Sequence, residues 1–156
     1  MTKLAIVAVG RVLPAGFDTL RAEADAEGYR FLERLSDDWP SGAMRFDRPG
    51  EALLAVRSAD MLAAIGGLTS DPFVTDALRM RRFYVGAAFR RRGIGRRLAT
   101  ALLERARRSG RLVTCNAGIG SVPFWESLGF IADRRDGHTH VIDPGRHLAA
   151  SPAVLG

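Results

Sequence analysis

One stretch constrains this chain more than any other: Arg81-Arg82-Phe83-Tyr84-Val85-Gly86-Ala87-Ala88-Phe89-Arg90-Arg91-Arg92-Gly93-Ile94-Gly95-Arg96-Arg97-Leu98. Phe83, Tyr84 and Val85 favour extended backbone. Gly93 and Gly95 allow a left-handed turn or a close approach to the main chain. From Ile94 onward the apolar residues Ile94, Leu98, Ala101, Leu102 and Ala106 recur at helical spacing. The stretch therefore predicts a strand, a basic turn and a helix start. A glycine-bearing turn at a helix N-terminus leaves N–H groups free beside the positive end of the helix dipole. That arrangement binds anions, phosphate above all. Arg90, Arg91, Arg92, Arg96 and Arg97 add charge to it.

Two common phosphate loops do not fit. A dinucleotide fingerprint needs a third glycine, and Leu98 follows Gly95-Arg96-Arg97. A P-loop needs Gly-Lys-Ser/Thr, and the only lysine is Lys3. What remains, Arg90-x-x-Gly93-x-Gly95, resembles the (Gln/Arg)-x-x-Gly-x-(Gly/Ala) motif of the GNAT superfamily of acetyl-CoA-dependent N-acetyltransferases. Downstream, Phe124-Trp125-Glu126-Ser127-Leu128-Gly129-Phe130 resembles the Phe-Tyr-Glu-x-Leu-Gly-Phe block of many members. The two blocks stand in the expected order, and the resemblance runs loosely from Gly28 to Val141. It implies an α/β (α+β) domain with a mixed, mostly antiparallel central sheet, a V-shaped splay and flanking helices. Periodicity alone gives only α/β or α+β.

Length and composition agree with one domain over residues 1–156, with 143–156 as a possible C-terminal tail. The hydrophobic share is 47% and the charged share 26%, ordinary for a globular chain. The formal charge is +6, and eight arginines fall between Arg79 and Arg97, which suits an anionic ligand. Cys115 is the only cysteine, so no intramolecular disulfide forms and a reducing, cytoplasmic location is expected. The apolar run at the N-terminus reads as a buried strand rather than a signal peptide. No run approaches membrane-spanning length.

Along the chain, strands are predicted at Leu4–Val9, Ala52–Arg57, Met61–Leu68, Met80–Val85, Arg111–Cys115 and His138–Ile142. Helices are predicted from Phe17 to a stop at Gly28, over Tyr29–Asp37, over Gly93–Arg108, and from a Ser121 cap to Leu128. Loops are expected from Trp39 to Gly50 and over Thr69–Leu78. Gly66-Gly67 suggests a bulge or a close backbone approach.

Acetyl transfer to an amine requires a held cosubstrate, a polarised carbonyl, a neutral amine and a stabilised thiolate. The backbone N–H groups of Arg91, Arg92, Gly93, Ile94, Gly95 and Arg96, beside the Arg90 side chain, are the expected pyrophosphate site. The resemblance implies that Phe83, Tyr84 and Val85 offer backbone groups to the pantetheine arm, with Asn116 and Phe124 nearby. Many members place a tyrosine near the thiol where Trp125 stands. Indole is too weak an acid to protonate a thiolate, so Trp125 either donates a hydrogen bond there or packs in the core. Asp71 is the candidate general base, with Asp76 and Glu51 behind it. In the family the Trp39–Gly50 region overlies the acceptor, so Trp39, Met44 and Phe46 are candidates to line its pocket. His138 and His140 share one face of a strand and read as structural. Cys115 reads as a small buried residue, and no metal-ligand spacing is present.

The expected activity is thus transfer of acetyl from acetyl-CoA to a primary amine of a small molecule or peptide, by direct attack. The expected partners are acetyl-CoA and that amine, with a homodimer possible and no membrane. An inactive acyl-CoA-binding regulator is an alternative. A basic nucleic-acid-binding domain is another, although no nucleic-acid motif is present.

Overall fold

The turn-bounded apolar runs of the sequence pair into one seven-stranded sheet, ordered β1-β2-β3-β4-β5-β7-β6. Its strands are β1 (Leu4–Ala8), β2 (Ala52–Ser58), β3 (Met61–Ser70), β4 (Ala77–Val85), β5 (Leu112–Cys115), β6 (Ile131–Arg135) and β7 (His138–Ile142). The helices are α1 (Phe17–Ala26), α2 (Phe31–Ser41), α3 (Ile94–Ser109) and α4 (Val122–Ser127). These coordinates are a computed structural model, which describes residues 3–135 and 137–146. Among the described residues no helix is long and apolar enough to cross a membrane.

Every neighbouring pair in the sheet is antiparallel except β4 and β5. That parallel pair needs a crossover, and α3 supplies it. The apolar stripe of α3, including Ile94, Leu98, Leu102 and Ala106, is buried against one face of the sheet together with Trp125 and Leu128. Burying each leucine contributes about 1.5–3 kcal/mol. On the other face α1 and α2 bury Phe17, Leu20, Leu32 and Leu35 against Leu53, Ile65 and Tyr84.

The splay follows from the register. β4 pairs with β5 only over Ala77–Arg79 and Leu112–Thr114. Past Arg79 the β5-facing edge of β4 has no strand partner. β5 bends toward β7 instead, where Thr139 Oγ1 accepts the Ala117 N–H at 2.9 Å.

β3 and β4 pair with a register shift between Ile65 and Gly67: Ile65 faces Tyr84, and Gly67 faces Arg81. β4 therefore carries one extra residue, and Arg82 takes φ 56°, a left-handed conformation rare for a side-chain-bearing residue. Gly66 and Gly67 permit this close packing. A Cβ on Gly66 would lie 2.6 Å from the Phe83 ring, and one on Gly67 would lie 2.6 Å from Phe46.

Four boundaries differ from the sequence expectation. The loop expected over Thr69–Leu78 shrinks to Asp71–Asp76, because Asp71 Oδ1 accepts the N–H groups of Phe73 and Val74, each at 2.8 Å, and closes a tight turn. α2 runs on through Trp39 and Pro40 to Ser41 and stops at Gly42, φ 74°. A seventh strand, β6, was not expected; it is an edge strand whose residues are largely exposed, so it lacks an apolar alternation. The fourth difference is at the start of β4, which begins at Ala77 rather than Met80. Of the tail expected over 143–156, residues 143–146 are described, with Pro144 fully buried, and the rest lies outside the described residues.

Candidate active site

The loop after β4 is built from backbone first. Gly86 N–H bonds Ala63 O at 2.8 Å and Phe89 N–H bonds Gly86 O at 2.9 Å, forming one short turn over Ala87–Phe89. Arg91 then adopts φ 63° and Gly93 φ 75°. Such left-handed steps turn successive N–H groups toward one side. α3 begins at Ile94 with no side-chain cap and no acidic residue in its first turn. Its first N–H groups therefore have no protein acceptor within the helix.

These groups border a cleft of about 300 Å³ lined by Val85, Phe89, Arg90, Arg91, Gly93, Ile94, Gly95, Arg96 and Phe124. Gly95 keeps the cleft open, since a Cβ there would meet Val85 Cγ2 at 3.2 Å and the Phe124 ring at 3.5 Å. Arg91 and Arg92 are exposed at its rim. Arg96 turns instead to Ser127, reaching its Oγ at 3.3 Å. The cleft, the uncapped helix and its positive charge fit the diphosphate of a nucleotide-bearing thioester.

Arg90 has a different task from the one the motif suggests. Its guanidinium grips the Glu27 carboxylate through two bonds, at 2.9 and 2.6 Å, and its Nε donates to Val85 O at 3.0 Å. Glu27 also accepts the Tyr84 hydroxyl, and the neighbouring Glu23 accepts the Ala87 N–H. The Arg90 hydrogen bonds, then Tyr84, hold the Glu27 carboxyl below the usual glutamate range. The turn leading into α3 is thus tied to the C-terminal end of α1 and its cap residue Glu27. The sequence signal for this was available in the i, i+4 spacing of Glu23 and Glu27, which sets both on one helix face.

The Tyr84 side chain, as distinct from its backbone groups, lies on the far side of the sheet from the cleft. Phe83 and Val85 pack on the α3 face, whereas Tyr84 is buried on the α1–α2 face. Burial, then the Glu27 bond, raises its pKa well above the ordinary phenol value. It serves the loop from behind and does not face the cleft.

Of the two placements expected for Trp125, its surroundings match core packing. It is buried among Phe83, Phe124 and Phe130, with ring centroids 5.0, 4.9 and 5.4 Å away in edge-to-face contacts. The indole is a core wall behind Phe124.

Asp71 is corrected as a general base. Its side chain is fully buried beside Arg79. Thr114 Oγ1 donates to it at 2.6 Å, Arg79 Nε at 3.3 Å, and two backbone N–H groups close the turn described above. Burial raises the Asp71 pKa, but the bonds from Thr114, Val74 and Phe73 outweigh it and hold the carboxyl below the aspartate value. A saturated carboxylate of that kind is a poor proton acceptor. Glu51 is likewise engaged, accepting the Ser70 N–H at 2.8 Å, while Asp76 is exposed at φ 60°.

The remaining expected residues divide. Asn116 is exposed where β5 leaves β4. Phe46 is buried against Gly67. Trp39 donates its indole N–H to Arg11 O at 2.9 Å and packs against the α1–α2 core with Met44. His140 is buried, with Nε2 3.0 Å from Glu126 Oε2 and Nδ1 2.8 Å from Thr139 Oγ1. His138 lies 3.0 Å from Asp133. His138 thus cross-links β7 to β6, and His140 ties β7 to α4. Burial pushes the Cys115 thiol up to about 12.

A family model described as an acetyltransferase (GNAT) domain matches residues 16–143. No curated protein matches the chain by sequence. Among solved structures, a protein of Exiguobacterium sp. 255-15 assigned as an acetyltransferase superposes with a TM-score of 0.85 at 22% identity, covering 95% of this chain and 98% of that one. A GNAT family acetyltransferase of Elizabethkingia anophelis with acetyl-CoA bound gives 0.61 at 15% identity, covering 84% and 78%. A variant of the spermidine N-acetyltransferase of Vibrio cholerae gives 0.67 at 12% identity, covering 95% and 98%. At such identities the likeness to these structures is one of fold.

Proposed function

The chain belongs to the GNAT acetyltransferase family, and from that premise we propose that it moves the acetyl group of acetyl-CoA to a primary amine of a small molecule or peptide. The observation that carries the reading is the uncapped start of α3 beside the cleft at Val85, Arg91, Gly93 and Gly95, next to the unpaired edge of β4. In this reading the N–H groups of Gly93, Ile94 and Gly95 hold the diphosphate, with Arg91 and Arg92 neutralising its charge. The free edge of β4 past Arg79 pairs with the amides of the pantetheine arm, as a strand edge pairs with extended chain. Phe83, Phe124 and Trp125 form a rigid aromatic wall that fixes the depth of the thioester. The amine nitrogen attacks the carbonyl carbon directly. The ammonium first loses one proton to water. An N–C bond then forms, the C–S bond breaks, and CoA leaves as the thiolate. The second proton shed by the nitrogen reaches the thiolate through water to give the free thiol.

The only cysteine is buried and strongly disfavoured as thiolate, which supports transfer without an acyl-enzyme. The experiment is to incubate the protein with acetyl-CoA and single amines and to follow free thiol. Thiol release that depends on the amine is expected. Tight acetyl-CoA binding with no amine-dependent release would leave an acyl-CoA-binding protein rather than a transferase.

A further inference from the structure

Three arginines of β4, Arg79, Arg81 and Arg82, stand on the sheet face covered by α1 and α2, away from the anion loop. Arg79 reaches Asp71, Arg81 Nε donates to Thr69 Oγ1 at 2.8 Å, and Arg82 lies beside Asp38 and Met44. Strict alternation would send one of two adjacent residues to the opposite face. The extra residue in β4 removes that alternation and sets Arg81 and Arg82 side by side.

Arg82 is the least satisfied of the three. Its side chain is only 9% exposed. Its Nε is buried without a hydrogen-bond partner, and so is Nη2 of Arg79. Its Nη2 makes only weak contacts: a long ion pair to Asp38 Oδ2 at 3.6 Å and a long hydrogen bond to the Met44 sulfur at 3.9 Å. A guanidinium donor left dry inside the protein is costly. Arg82 also holds a left-handed backbone, φ 56°. A strained residue with a buried, unpartnered Nε donor and only a long ion pair to Asp38 marks a place kept for binding rather than for stability.

Its position gives the ligand. Arg82 lies just past Arg79, the last residue of β4 paired to β5, and so at the start of the free edge along which the thioester is placed above. Met44, at 3.9 Å, belongs to the segment between α2 and β2. Thr69, Asp38, Asp71 and Glu51 are the other polar groups near the arginines. Each of these carboxylates is already tied, Asp38 only through its long ion pair to Arg82.

We propose that Arg82, with Arg81 beside it, receives an anionic group of the amine acceptor, so that the substrate is an amine that also bears a carboxylate or phosphate. This rests on the acetyltransferase reading. The planar fork of arginine suits both groups. Bound there, the anion satisfies the dry donors and fixes the amine at a set distance from the acetyl carbonyl. A long polycationic amine is disfavoured at the same place.

The test uses matched acceptors with the full chain: free amino acids, the same amino acids as neutral amides, O-phosphoethanolamine, and spermidine. Thiol release should show kcat/KM at least about 10-fold higher for an acid than for its amide. Amino acids ahead of O-phosphoethanolamine assign the anion as carboxylate, and the reverse assigns phosphate. Arg82→Gln should abolish that preference through KM for the acid, leaving KM for acetyl-CoA unchanged, and Arg82→Lys should restore part of it. Asp38→Asn should lower KM for the acid, because it removes a competing carboxylate. Equal or better turnover of amides or spermidine, or a preference that survives Arg82→Gln, overturns the proposal. Calorimetric binding of N-acetyl amino acids against their amides separates the two readings. Acid-selective binding without thiol release keeps the anion site and removes the transferase. Thiol release with neutral amines alone keeps the transferase and removes the anion site.

Discussion

Asp71 illustrates how one residue can look catalytic in a sequence and be structural in the fold. It sits in a loop beside a strand end, as a base would, yet each of its oxygens is occupied. Asp71→Asn is therefore expected to destabilise the protein by about 3 kcal/mol, since it leaves Arg79 buried without its counter-charge. Urea unfolding would measure this. A general base would instead leave stability alone and flatten the pH dependence of kcat. Cys115 gives a second residue-scale expectation. With its thiol pushed up to about 12 by burial, it should resist iodoacetamide at neutral pH in the native state and react once unfolded. Prompt labelling of native protein would contradict the burial assigned to β5. Residue chemistry also marks a limit of reading the sequence. Whether position 125 belongs to site or core depends on which way the Phe124–Trp125 pair turns, and only the packing against Phe83 and Phe130 decides it.

At the scale of elements, the clamp between α1 and the anion loop is the least expected feature. Glu27 and Arg90 are partly exposed, so the pair adds little stability. Its consequence is geometric, because Arg90 and Glu23 together fix the turn over Ala87–Phe89 that leads to Gly93. Glu27→Gln should leave the melting temperature nearly unchanged while raising KM for acetyl-CoA several-fold. An unchanged KM would reduce the clamp to surface decoration. The pH dependence has a definite sign. The folded pKa of Glu27 lies below the ordinary value, so the clamp is complete above about pH 4.3 and is lost as pH falls through the lower folded value. Cosubstrate affinity should therefore fall more steeply with acid in the native protein than in Glu27→Gln.

The elements themselves were unequally legible. Strands with uninterrupted apolar runs, such as Ala52–Arg57, and the amphipathic α3 could be read because burial imposes a period on them. β6 could not, because an exposed edge strand imposes none. Nor could the pair Arg81–Arg82, because a bulge cancels the alternation from which a face is inferred. The turn into α3 was readable since glycine spacing reports backbone geometry directly. The meeting of Arg82 with Asp38 and Met44 was not, since it joins β4, α2 and the following segment, which are distant in sequence.

For the whole molecule, the distribution of arginine matters more than the formal charge of +6. Arg79, Arg81 and Arg82 turn inward, while Arg21, Arg90 and Arg107 are spent on carboxylates of this chain. The exposed cations that remain near the cleft, Arg91, Arg92 and Arg96, stand at the start of a helix. This supports a local anion site over a continuous nucleic-acid face, and the +6 charge should give only weak binding to duplex DNA that disappears at moderate salt. The central claim is that the turn into α3 holds acetyl-CoA. Calorimetric titration of the native protein and of Gly95→Val with acetyl-CoA, dephospho-CoA and ATP tests it most directly. A valine at 95 puts its Cβ 3.2 Å from Val85 and 3.5 Å from Phe124. Micromolar acetyl-CoA binding is predicted for the native protein. A loss of roughly 100-fold is predicted for the variant, which is about 3 kcal/mol and the size of one or two charge-assisted bonds. No binding to the native protein, or equal affinity in the two, would contradict the account.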